Sequence, residues 1–132
     1  GNTMVFISGW DKPILKDILF LRLGEPINKR FLLEIMASET QTKRSINENQ
    51  VAVKIDYKLI FEYKLIDTSG FCPEIISKQT SKFSFTPKSS GYNFASDVLL
   101  NNLFEEAVTS NVNQFIVKSN NDLYSNKCLD EK

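Results

Sequence analysis

An alternation running from Val51 to Leu65 constrains this chain more than any other feature. Val51, Val53, Ile55, Tyr57, Leu59, Phe61, Tyr63 and Leu65 take the odd positions, and Lys54, Asp56, Lys58, Glu62 and Lys64 take most of the even ones. Successive side chains of a strand point to opposite faces, so a period of two demands an extended segment with one buried face and one wet face. At ~3.3 Å per residue the strand spans roughly 50 Å, far beyond the usual strand length. Such a strand must twist strongly, carry a bulge, or run past the core that it covers.

A second extended segment follows. Asp67-Thr68-Ser69-Gly70 has turn composition, and after it Phe71, Ile75, Phe83 and Phe85 share one parity, with Ser77, Gln79 and Ser81 between them. Two such runs around a short Gly-containing loop read as an antiparallel hairpin. Placing Leu65 opposite Phe71 puts Phe61 opposite Ile75 and Val53 opposite Phe83, so the apolar faces coincide. The middle of the second strand is polar on both faces, which suits an edge strand.

The remaining elements are read around this hairpin. Met4 to Ile7 is a short first strand or ordered arm, followed by a turn at Ser8-Gly9-Trp10-Asp11-Lys12-Pro13. In Ile14 to Leu23 helix and strand are hard to separate by pattern. Gly24 and Pro26 directly after it favour a strand over Ile18 to Leu23. Glu25 and Pro26 then open a predicted helix, on which Ile27, Phe31, Leu32, Ile35 and Met36 recur at helical spacing. Thr40 to Gln50 is polar and aperiodic, hence a loop, and Pro87 to Tyr92 is a break. Asn93 or Ser96 caps a closing helix with a stripe of Leu100, Leu103, Phe104, Ala107, Val108, Val112, Phe115 and Ile116. The tail from Ser119 to Lys132 is polar and reads as frayed. The expected fold is α+β: a small antiparallel sheet with a long hairpin and two helices packed on one face. It forms one domain over residues 1–132, with its ordered core at about residues 4–118.

Composition removes several chemistries. The chain has 132 residues, 16 basic against 16 acidic, and no histidine. A balanced charge argues against nucleic acid, whose binding rests on phosphate neutralisation. Without histidine the commonest general base, the commonest zinc ligand and the ordinary nucleophile triad are gone. Cys72 and Cys128 are too far apart for a CxxC pair. They could form one disulfide in an oxidising compartment or stand as unrelated thiols, and the polar setting of Cys128 favours the second reading. No P-loop, dinucleotide fingerprint, nucleophile elbow or metal-ligand cluster occurs, so neither cofactor nor metal is expected and the chain is read as non-enzymatic. Glu105 and Glu106, adjacent near a helix start, answer to the helix dipole rather than to acid–base work. No apolar run is long enough to span a membrane. Gly1-Asn2-Thr3 reads as a cut end, from which a leader has been removed.

The candidate ligand-binding residues are Lys54, Lys58, Lys64, Lys78 and Lys82, all on the solvent side of the hairpin. Such a stripe suits an anionic ligand such as a phosphorylated lipid head group. Lysines on a long exposed ribbon also discourage edge-to-edge pairing, and Asp56 and Glu62 interrupt the stripe. Tyr57, Phe61 and Tyr63 fall on the opposite parity from the lysines. That arrangement lines a core and opposes a base-stacking platform, which needs both sets on one face. Trp10 either plugs the end of the core or anchors a partner.

From Val51 onward the layout resembles the LPS-assembly lipoprotein family. The resemblance rests on the long alternating strand ending in Tyr63-Lys64-Leu65-Ile66-Asp67-Thr68-Ser69-Gly70, the second strand, the break at Ser90-Gly91-Tyr92-Asn93 and the long C-terminal helix. Lys16 to Ala37 is similar to the family's opening strand and first helix. The resemblance implies a periplasm-facing domain, lipid-anchored at the outer membrane, that sits in a large outer-membrane β-barrel protein and helps deliver lipopolysaccharide. The hairpin lysines would then meet anionic sugar-phosphate. The chain departs from the family in lacking a lipidated cysteine near its start and a strand between the first helix and Val51. Gly9-Trp10-Asp11-Lys12-Pro13 is also similar to a stretch in the auxiliary lipoproteins of lipid-transporting ABC systems. A cytosolic adaptor that uses the ribbon for strand addition is the reading from another class.

Overall fold

In a computed structural model that describes residues 1–45, 53–87 and 94–128, the chain alternates strands and helices. The order is β1 (Thr3–Ser8), α1 (Ile14–Leu23), β2 (Phe31–Ser45), β3 (Val53–Asp67), β4 (Ile75–Phe85) and α2 (Phe94–Ser125). The sheet order is β1-β2-β3-β4. β1 joins β2 in parallel, and the other two pairings are antiparallel. The fold is α+β, as expected. One hydrophobic core joins both helices to one face of the sheet. Val51, Asn93 and most of the predicted break at 87–92 lie outside the described residues.

β3 behaves as its alternation requires. Tyr57, Leu59, Phe61, Tyr63 and Leu65 are buried, whereas Lys58 and Glu62 are exposed. Each large apolar side chain buried this way contributes about 1.5–3 kcal/mol. β3 pairs along its whole length with β2, from Phe31↔Asp67 to Ser45↔Val53. The helices cover only part of this ribbon, and Thr40 to Ser45 extend past the core with mostly exposed side chains.

Two expectations exchange places in the N-terminal half. Ile18 to Leu23 is not a strand but the end of α1, with Leu15, Ile18 and Leu19 buried at helical spacing. Gly24 stops that helix: its N–H bonds the Phe20 carbonyl at 2.8 Å, with φ at 75°. Phe20 and Leu21 are apolar yet exposed, which blurred the period. The predicted helix after Pro26 is instead the start of β2. There Phe31, Leu33, Ile35 and Ala37 face the core, while Leu32, Glu34 and Met36 face the other side. Apolar residues on both faces of a strand can mimic a helical stripe, and pairing with β1 on one side and β3 on the other decides the outcome. The predicted loop from Thr40 is likewise strand as far as Ser45, because β3 supplies the hydrogen-bond ladder. β2 thus provides the strand that the family resemblance lacked.

The hairpin register also differs. Leu65 faces Ile75, Phe61 faces Gln79 and Tyr57 faces Phe83. The shift keeps parity, so the buried face is unchanged, but Phe71 falls in a longer loop and is exposed. The polar inner face of β4 is matched by α2. Buried Asn111 accepts from the Tyr63 hydroxyl at 2.7 Å and donates to the Gln79 carbonyl at 2.9 Å. Burial pushes the Tyr63 phenol up, so it stays a donor.

The tail is ordered further than its polarity suggested. α2 continues to Ser125, Leu123 is buried, and Cys128 is bonded to Cys72. The disulfide ties the β3–β4 loop to the end of α2. Beside it, Asp67 accepts from the Ser69 hydroxyl at 2.7 Å, the Ser69 N–H at 3.0 Å and the Cys72 N–H at 3.1 Å. Arg30 lies 3.7 Å from the same carboxylate and donates to the Cys128 carbonyl at 3.0 Å. The Ser69 hydroxyl bond first, then the backbone donors and Arg30, holds the Asp67 carboxyl below its ordinary 3.8.

Three outcomes follow for stability. Asn111→Ala leaves a buried phenol without its acceptor and should cost about 1–3 kcal/mol in urea unfolding. Removing the disulfide, which closes a loop with a sequence separation of 56 residues, should cost about 4 kcal/mol on the chain-entropy relation. Because the folded-state pKa of Asp67 is depressed, its stabilisation is present above pH 3.8 and is lost as pH falls through the lower folded value. Acid titration of the melting temperature should therefore flatten in Asp67→Asn over that window.

Candidate functional site

The face of the sheet opposite the helices carries the even-numbered side chains of β2, β3 and β4. All five candidate lysines lie on it, but their neighbours differ. Lys54 stands opposite Arg44. Arg44 is committed to Asp56 through bonds of 2.7 and 3.4 Å, and Ser84 donates to the same carboxylate at 2.6 Å. Those two side-chain bonds, with the nearby positive charge of Arg44 and Lys54, lower the Asp56 carboxyl to about 2. Lys64 faces Glu34 across β2 and reaches Glu74 at 3.8 Å. Lys78 faces Glu62.

Lys58 and Lys82 are placed differently. They are directly opposite each other on β3 and β4, both exposed, and Thr40 continues the row on β2. Opposed residues in an antiparallel pair have Cβ atoms about 4.5–5.5 Å apart, and like charges so placed repel. Among the described residues neither lysine forms an ion pair. Thr40, Thr42, Asp56 and Ser84 surround the pair in a shallow recess of about 500 Å³. The structure thus divides the stripe of five into three lysines directly opposite an acidic or arginine residue and one pair of lysines opposite each other, neither in an ion pair among the described residues. Two adjacent ammonium groups, flanked by hydroxyls and by an Asp56 carboxylate already engaged by Arg44 and Ser84, can bind a phosphate or carboxylate as paired charge-assisted donors.

Further along the same face the surface becomes amphipathic. Phe6, Leu32, Met36 and Ile76 share a recess of about 720 Å³ with Lys64 and Lys78 and with Glu34 and Glu62, which stand opposite them. Phe6, Met36 and Ile76 are all more than half exposed. Sequence reading missed Thr40, Arg44, Leu32 and Met36 because it assigned their segment to helix and loop. The odd-position run Phe31, Leu33, Ile35, Ala37 was the signal that could have found them.

Other candidates prove structural. Trp10 closes the core: its ring lies 5.4 Å from Phe61 and 6.3 Å from Phe104, and its indole N–H donates to Glu39 at 3.0 Å. Tyr57, Phe61 and Tyr63 face inward, with Tyr57 stacked on Phe83 at 4.7 Å and Tyr63 on Phe115 at 4.1 Å. Among the described residues no three metal-ligating side chains cluster, and no helix is long and apolar enough to cross a membrane.

No protein-family model matches the chain, and no curated protein matches it in sequence. Solved structures do match its shape. A protein from Caulobacter crescentus provisionally described as a lipoprotein superposes with a TM-score of 0.63 at 10% identity, covering 89% of this chain and 85% of that one. Rare lipoprotein B from Shewanella oneidensis superposes with a TM-score of 0.57 at 11% identity, covering 92% of this chain and 98% of that one. At such identities the likeness establishes shared architecture: this chain has the fold of those two bacterial proteins.

Proposed function

We propose that this chain is a non-catalytic, lipoprotein-like domain of the bacterial envelope that faces the periplasm and assists lipopolysaccharide assembly at the outer membrane. In this reading it works beside an outer-membrane β-barrel protein and receives the anionic sugar-phosphate of lipopolysaccharide on its open sheet face. The observation that carries the reading is the opposed Lys58–Lys82 pair, in no ion pair among the described residues, with an amphipathic recess on the same face. A phosphorylated, acylated ligand offers both complements at once: anionic groups for the ammoniums and hydrocarbon for Phe6, Met36 and Ile76. Two further facts support it. Both fold relatives bear lipoprotein names, and the Cys72–Cys128 disulfide suits an oxidising compartment such as the periplasm.

The pair is a liability to folding unless something uses it. Lys82→Glu replaces a cross-strand repulsion with an attraction and should raise stability by about 0.2–1 kcal/mol. The same change should weaken binding to lipopolysaccharide at least about tenfold, and Lys58→Glu/Lys82→Glu should weaken it further. Lys78→Glu, beside Glu62, serves as the comparison and should weaken it less. Titration calorimetry with purified lipopolysaccharide, at two salt concentrations, reads all three. Undiminished binding by the double variant would remove the assignment of this pair.

A further inference from the structure

Beside the last turn of α1 the core is incompletely filled. α1 ends at Leu23, whereas α2 runs on to Ser125. A cavity of about 130 Å³ lies there, between the two helices and the inner face of the sheet. Leu19 and Leu23 of α1, Leu33 and Leu65 of the sheet, and Phe115 and Leu123 of α2 supply most of its walls. Its polar lining is confined to Asn2, Thr3, Ser119 and Asn120, and no charged side chain lines it. Protein interiors pack as densely as organic crystals and keep few voids larger than a water molecule, so an apolar void of this size is unusual.

Water is a poor occupant of this space. A buried water needs about two to four polar partners. The Thr3 hydroxyl already donates to the Asn2 side-chain carbonyl at 3.1 Å, and the Ser119 hydroxyl to the Ile116 carbonyl at 3.1 Å. Among the described residues no buried side-chain polar atom lacks a partner. The walls are also held apart. The Leu123 carbonyl accepts from the Cys128 N–H at 2.8 Å, and Cys128 is bonded to Cys72, so the wall formed by α2 is pinned to the β3–β4 loop. An apolar cavity of about 150 Å³ stays dry when empty and takes up benzene or xenon. Asn2 and Asn120 are the exposed residues of the lining, which puts the mouth of the cavity between them.

We propose that this cavity is a binding site for the end of one linear hydrocarbon chain, which enters between Asn2 and Asn120 and carries an uncharged, hydrogen-bonding head group. The apolar walls take the chain, because hydrocarbon gains there the contacts that an empty void forfeits. The two amides at the mouth each offer donors and an acceptor, which a hydroxyl or an ester carbonyl can meet. A lining without charge gives an ionised head group no counter-ion there. The site lies on the inner side of the sheet, with Leu33 and Leu65 buried in its wall, whereas Lys58 and Lys82 point from the opposite face. It is therefore independent of the lipopolysaccharide reading.

Titration calorimetry of the intact, disulfide-bonded chain with linear 1-alkanols of increasing length, each below its solubility limit, tests the proposal. Affinity should rise about fourfold with each added methylene and stop rising once the cavity is full. Ser119→Leu places a larger side chain in the void, breaks only a bond within its own helix, and suits that helix in propensity. It should lower alkanol affinity at least about tenfold. Leu123→Ala enlarges the void and should move the break to a longer alkanol, and it covers the case in which Ser119→Leu fails to fold. Amide chemical shifts on adding 1-hexanol should change at Leu33, Leu65 and Phe115 and stay unchanged at Phe6 and Ile76, which line the recess on the open face. The proposal is overturned by an absence of binding, by an affinity that climbs with length without a break, or by shifts centred on Phe6 and Ile76. A folded Ser119→Leu chain that binds as tightly as the unaltered one overturns it too.

Discussion

The structure depends on β3 being buried on one face along most of its length. Tyr57, Leu59, Phe61, Tyr63 and Leu65 are the common surface on which β2, β4 and both helices assemble. A one-residue slip would turn every one of them to water and every lysine inward, so the register is strongly specified. The central strand also carries a polar contact deep in the core, Tyr63 to Asn111, which fixes where α2 crosses the edge strand. Each element added to β3 is positioned by it.

What lies at the ends of β3 is governed by different forces. At the Asp67 end, a turn rich in hydrogen bonds, the Arg30 contact and the disulfide gather the β3–β4 loop, the start of β2 and the end of α2. That end is closed covalently. At the other end β2 and β3 continue beyond the helices as an exposed ribbon, held by their ladder and by Arg44 with Asp56 and Ser84. The Lys58–Lys82 pair sits where the covered region gives way to this ribbon. There the open face is flat and solvated, and an anion of some size can approach both ammoniums.

The asymmetry between edges has the same logic. An edge strand with polar residues on both faces needs a partner for its inner face, and α2 supplies Asn111. β1 is apolar on both faces and contributes Thr3 to the core, yet nothing covers its outer backbone groups among the described residues. Gly9 ends it with φ at 87°, where a Cβ would come within 2.6 Å of the Ala37 carbonyl. The chain can leave the edge at that point only because the residue is glycine.

The alternation in the sequence determined β3, its buried face and the side on which the five lysines lie, because a period of two admits no other geometry. The stripe on α2 was equally legible, since its apolar residues repeat on one side. Tertiary structure decided the rest. Phe31 to Met36 is apolar on both faces and satisfies a helical or an extended reading alone; hydrogen bonding to β1 on one side and to β3 on the other made it a strand. Thr40 to Ser45 has no pattern of its own, and its strand is imposed by β3. Cys72 and Cys128 meet only because α2 runs long enough to return to the turn after β3. Lys58 came to stand alone with Lys82, while Lys78 met Glu62, through a register shift that parity cannot detect: side-chain period fixes the face, and loop length fixes who stands opposite.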